Sequence, residues 1–196
     1  MKQIAYSLTI VFSLIFFSNC KPKVKPGETA RAEEKKKEFL PVIEFLAGEI
    51  KHVDTVPYTL VKYTTINDRT DSVIISRPEF RNMTKEFLEI NIRDDKYKDN
   101  YEETSFADNS TGTLSFTYIS KSPGIKLSKV DAYVNPESQK ITRLYLERNY
   151  NGGDTAITKK LLWQTKGNFI IITIKNINNK ESVVQEKIVW DEKEEY

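Results

Sequence analysis

"KKLLWQTKGNFIIITIK", residues 159–175, is the stretch that decides the fold. Two apolar runs rich in β-branched and aromatic residues read as strands, Ala156–Thr165 and Phe169–Lys175. Between them Lys166-Gly167-Asn168 supplies glycine and asparagine, the residues that accept positive φ in a tight turn. A link so short joins antiparallel neighbours only, since parallel strands need a crossover of about a dozen residues or more. The run Phe169-Ile170-Ile171-Ile172-Thr173-Ile174 is apolar on both faces, so both faces are expected to be covered. One face can take helices; the other would meet a second sheet, the same sheet curled over, or an apolar ligand.

Outward from this hairpin the pattern repeats. Tyr101–Ala107, Thr113–Ser120, Lys126–Val134, Ile141–Arg148 and Val183–Trp190 read as further strands. Their links carry turn chemistry: Asp108–Gly112, Asn135-Pro136-Glu137-Ser138 and Asn151-Gly152-Gly153-Asp154. Upstream, "YTLVKYTTI" and "DSVIIS" flank Asn67-Asp68-Arg69-Thr70 as a β-hairpin. Helical spacing appears in two places. Phe39, Ile43, Leu46, Ile50 and Val53 form one stripe, weakened by Gly48, near which the helix is expected to end. "RPEFRNMTKEFLEINI" forms another, with Pro78 near its start and Phe80, Met83/Thr84, Phe87 and Ile90 on one face. The expected fold is α+β: N-terminal helices packed on a long antiparallel β-meander, as a curved sheet, a half-barrel or a barrel-like body.

Lys160–Lys166 echoes Lys187–Lys193, each with a tryptophan at a strand end. As an aromatic clamp the pair Trp163 and Trp190, with Ile170 and Ile172 of the doubly apolar strand, would bind an apolar ligand. The alternative is that both tryptophans close a core edge, each N–H reaching a polar rim.

Composition narrows the function classes. The chain has 39% hydrophobic and 30% charged residues with 7 Gly and 7 Pro, which is a globular balance. Residues 21–37 carry an excess of lysine and arginine, whereas residues 38–196 are slightly acidic, so nucleic acid is not an expected partner. The single histidine, His52, leaves no transition-metal cluster and no Ser-His-Asp arrangement. The carboxylate pairs considered for a hydrolase are Glu102-Glu103, whose side chains alternate across a strand, and Asp94-Asp95 in a lysine-rich loop. No catalytic residue, cofactor or metal is therefore expected.

The N-terminus addresses location. Met1-Lys2 precedes an apolar stretch, Ile4–Phe17, which would rise about 21 Å as a helix against a hydrocarbon core of about 30 Å. A charged start, a short apolar core and a polar break make a secretory signal peptide. The break, Phe17-Ser18-Asn19-Cys20, resembles the lipobox of bacterial lipoproteins, in looser form like those of Bacteroidota. That resemblance implies removal of residues 1–19, lipidation of Cys20, a charged tether over residues 20–37 and a single domain over residues 38–196. Cys20 is the only cysteine, so the domain has no intrachain disulfide.

With "PVIEFLAGEI", "VPYTLVKYTT", "DSVIIS", "YEETSFADNSTGTLSFTY" and "KKLLW", the chain resembles uncharacterised lipoproteins of Bacteroidota. The resemblance implies a membrane partner through the N-terminal lipid, at the outer membrane facing the periplasm, and no particular activity. Lys21, Lys23 and Lys25 after the cysteine, in place of an acidic cluster, match that periplasmic orientation. The expected role is a non-catalytic binding module contacting an envelope protein; the alternative is a carrier of a lipid or other apolar ligand, and after it a carboxylate-based hydrolase. Asp54-Thr55-Val56, Asp71-Ser72-Val73 and Asp154-Thr155-Ala156 resemble the Bacteroidota O-glycosylation signal, with Thr155 expected to be the best exposed.

Overall fold

Turn chemistry and period-2 patterning produce a sheet that dominates the molecule. The structure is a computed structural model describing residues 38–165 and 167–190. The expected signal peptide, Cys20, the expected tether and Asp191–Lys193 lie outside the described residues.

The chain first forms α1 (Val42–Thr55), then a hairpin of β1 (Val61–Ile66) and β2 (Arg69–Ile74). Helix α2 (Arg77–Thr84) and a 3-10 turn, Lys85–Leu88, follow. Seven strands complete the domain: β3 (Tyr101–Asp108), β4 (Thr113–Ser120), β5 (Leu127–Asn135), β6 (Lys140–Gly152), β7 (Thr155–Gln164), β8 (Asn168–Ile177) and β9 (Lys180–Val189). All nine make one antiparallel sheet in the order β2-β1-β9-β8-β7-β6-β5-β4-β3. The meander from β3 to β9 is as expected. The early hairpin joins it through β1 and β9, a pairing of distant segments that no local signal encodes. The sheet does not close into a barrel: β2 and β3 are its two edges.

Tight turns explain the strand ends. Asn67 and Asp68 have φ of 48° and 62°, and Asn178 and Asn179 have 50° and 63°. Positive φ at both central residues is the two-residue turn whose twist matches a right-handed hairpin. Arg69 and Thr70, expected in the link, therefore belong to β2.

Helix α1 runs through Gly48 to Thr55 instead of stopping there, because Val42, Leu46, Ile50 and Val53 bury a continuous stripe on either side of the glycine. That packing outweighs a propensity cost of about 1 kcal/mol. Its C-terminal end is clamped by Arg77, whose guanidinium donates to the carbonyls of Val53, Val56 and Tyr58, the last two at 2.7 Å. Helix α2 starts at Ser76, whose hydroxyl accepts from Glu79 N–H. It tightens to 3-10 at Lys85 and does not continue to Ile92 as expected. Such tightening is common at helix ends, and it leaves Phe87 buried against the sheet.

The register sorts the sheet into two faces. On the inner face the rows Leu144–Trp163–Phe169–Ile188 and Leu146–Leu161–Ile171 are buried. Phe80 and Phe87 of the helical segment lie on them, with ring centroids 6.0 and 5.3 Å from Phe169. The next row, Arg148–Lys159–Thr173–Val184, begins with two cations that pair with Glu89 and Glu86 of the helical layer. Past this charged border the inner face is more open: Tyr150 and Ile157 are half-buried, and Ile66 and Ile177 are exposed.

Among the described residues no second sheet covers the outer face, contrary to one expectation for the doubly apolar strand. Ile170 sits between Leu162 and Lys187, and Ile172 between Lys160 and Gln185. All are half-buried. Neighbouring side chains, with the aliphatic stems of the lysines among them, shield the isoleucines in place of a packed layer.

Candidate functional site

The β5–β6 ladder carries strict alternation in "KVDAY" (residues 129–133) and "RLYLE" (residues 143–147). Val130, Ala132, Leu144 and Leu146 go inward and are buried. Lys129, Asp131 and Tyr133 therefore share the outer face with Arg143, Tyr145 and Glu147, in the cross-strand pairs Lys129–Glu147, Asp131–Tyr145 and Tyr133–Arg143. Register shifts bracket this stretch, with Ser128 the extra residue in β5 and Thr142 in β6. Bulges of this kind increase local twist and re-aim side chains.

Each polar group is already held. Lys129 Nζ lies 2.9 Å from Asp131, and Thr117 Oγ1 donates to the other carboxylate oxygen at 2.7 Å. Tyr145 Oη donates to Glu147 at 2.9 Å. Arg143 stacks its guanidinium 4.0 Å from the centre of the Tyr133 ring. The hydrogen bond to Asp131 raises the Lys129 pKa, and the Tyr145 phenol is pushed up by partial burial, then by Glu147. Both groups thus stay protonated well above neutral pH, and the cluster works as an ordered set of donors and acceptors.

Two depressions open on this face. One, of about 390 Å³, is lined by these six residues and Leu162; the other, of about 410 Å³, shares Tyr133 and Arg143 with it and adds Gln164. A third, of about 710 Å³, shares Thr142 and Thr165 with the second and runs to Leu40, Pro41 and Phe45 at the start of α1.

The residues expected to form an apolar site are not brought together. Trp163 and Trp190 meet on the inner face, ring centroids 5.2 Å apart, and Trp163 stacks on Phe169 at 5.5 Å. They fill the core beneath Phe87. The Trp163 indole N–H does not reach a polar rim: among the described residues it has no hydrogen-bond partner. Ile170 and Ile172 point to the opposite face, with Ile170 beside Leu162 of the outer depression.

Of the modification candidates, Thr55 and Ser72 are exposed and Thr155 only partly so, which reverses the expected order. Thr155 begins β7 against Gly152 and Ile177, and the flanking strands cover it. Glu102 and Glu103 point to opposite faces as expected, while Asp95 pairs with Lys98 in an exposed loop. Among the described residues no group of His, Cys, Asp or Glu is arranged to hold a metal ion, and no helix is long and apolar enough to cross a membrane.

The outer-face cluster escaped the sequence reading, although its signal was present. Alternation in both strands marks a solvated face, and only the pairing of β5 with β6 shows that two tyrosines and four charges share it. Comparison with protein-family models, curated proteins and solved structures gives no match.

Proposed function

We propose that this chain is a lipoprotein of the Bacteroidota type, anchored through Cys20 to the outer membrane and facing the periplasm. Its domain acts as a non-catalytic binding module for a component of the envelope. The observation that carries the anchoring is the Phe17–Cys20 box placed between a short apolar segment and a polar, basic stretch. One lipid chain anchors only marginally and two or more hold stably. The pre-ordered outer face of β5–β7 supports the binding role. In the native host, labelled palmitate is expected to enter the wild-type chain, which sediments with membranes, and not to enter Cys20→Ser. An unlabelled mature protein that washes free of membranes would overturn the reading.

A second reading, a carrier of a lipid or other apolar ligand, draws on the open end of the inner face. There Ile66 and Ile177 remain 47% and 46% exposed beyond the charged border. Native mass spectrometry of the chain should then show bound lipid, lost on Ile66→Asp/Ile177→Asp. A ligand-free spectrum from native membranes counts against it.

A further inference from the structure

We infer that the outer-face depression of β5–β7 binds a neutral oligosaccharide; this names the ligand of the binding module and rests on that reading. A sugar ring offers apolar C–H groups on its faces and hydroxyls around its rim. A site for it needs aromatic surface flanked by both donors and acceptors.

Tyr133 and Tyr145 supply the surface: Arg143 takes one face of the Tyr133 ring at 4.0 Å and Lys129 lies 5.9 Å from the centre of Tyr145, so each ring offers a sugar its other face and its edge. The two tyrosines lie on adjacent strands of one face, Tyr133 opposite Arg143 and Asp131 opposite Tyr145, so the rings are diagonal neighbours about 7 Å apart at the backbone. Arg143 and Lys129 donate and Glu147 accepts, while Asp131, its side chain 10% exposed and bonded to Lys129 and Thr117, holds Lys129 in place. Two cations and two carboxylates cancel. An anionic ligand would face both carboxylates and a cationic one both cations, whereas hydroxyls pair with either in turn. This balance points to an uncharged polyol.

The groups are also held in advance, through Lys129–Asp131 at 2.9 Å, Tyr145–Glu147 at 2.9 Å and Arg143 on Tyr133. A ligand need not immobilise them, which removes part of the usual ordering cost of binding. The two depressions, about 390 and 410 Å³, share Tyr133 and Arg143, so the aromatic centre serves both. Each falls within the volume range of ordinary small-ligand sites. Two abutting subsites call for a chain of sugars and not a single ring.

The test titrates the full chain in detergent with maltohexaose, cellohexaose and chitohexaose by calorimetry, with polygalacturonate and polylysine as charged comparators. At least one neutral hexasaccharide is expected to bind with Kd of about 1 mM or tighter. Tyr133→Ala/Tyr145→Ala should weaken it about tenfold or more. If that pair fails to fold, Arg143→Ala, at an exposed position, replaces it with the same expectation. No binding of any of the three at about 10 mM, tighter binding of either charged polymer, or unchanged affinity in the variants would overturn the inference. If the sugars fail while an envelope protein crosslinks through this face, the ligand is wrong and the binding module stands. Absence of palmitate label strikes the anchoring alone.

Discussion

Strands β7 and β8 present two faces made of alternate residues, and the two have different fates. Inward, Leu161, Trp163, Phe169 and Ile171 are buried under Phe80 and Phe87. Outward, Leu162, Ile170 and Ile172 are similarly apolar, yet among the described residues it is their strand neighbours that flank them. Side-chain chemistry alone does not separate these sets. What separates them is which face the helical segment covers, and that follows from the connection between the first hairpin and β3. The covered face is a core; among the described residues the other has no layer packed on it.

The largest difference between the two faces is expected when one residue on each is truncated. Trp163→Ala should cost about 3–5 kcal/mol, since it leaves a large cavity among stacked rings. Ile170→Ala should cost only about 1 kcal/mol, because the side chain is already partly solvated. Chemical denaturation measures both, and equal losses would mean that the outer face is covered as fully as the inner one.

A smaller effect is expected at the charged border. Arg148 is fully buried and pairs with the half-exposed Glu89, while among the described residues its guanidinium nitrogens have no hydrogen bond of good geometry. The two observations agree if the pair is chiefly a charge contact. Removing one partner strands a buried charge, whereas an apolar replacement of the cation does not. Glu89→Ala should therefore destabilise by about 2 kcal/mol and Arg148→Met by less than about 1 kcal/mol. The reverse order in urea melts would show that Arg148 is held by something other than Glu89.

The smallest effect is a pH dependence to which both faces contribute, the inner one through two buried phenols and the outer one through Tyr145. Burial raises the phenol pKa of Tyr101 and Tyr118. Tyr101 donates to the Leu127 carbonyl at 2.7 Å, and Tyr118 Oη accepts from Leu40 N–H at 3.1 Å. A raised folded-state value means that the contribution is complete below the unfolded value near 10.0 and declines as pH rises above it. Melting temperature should fall by about 3 °C or more between about pH 9.5 and 11.5, and by less in Tyr101→Phe/Tyr118→Phe. A variant with an unchanged alkaline slope would place the effect elsewhere.

The meander was readable because turn residues and period-2 runs are local signals. Every strand from Tyr101 to Trp190 was expected within a few residues of its observed bounds. The helical faces of Leu46, Phe80 and Phe87 were equally legible from spacing. The outer-face cluster was not, because its six residues come from two strands and are brought together only by the register between them. The same limit grouped Trp163 with Ile170, which look alike as apolar strand positions but lie on opposite faces.

The strands, the turns and the two helical stripes were written in neighbours a few positions apart, and so are legible from the chain alone. Only the tertiary structure decided that β1 pairs with β9, that the sheet stays open, and which face of β5–β7 meets solvent. Those outcomes depend on contacts between residues far apart in the chain, formed when the helices bury one face of the sheet.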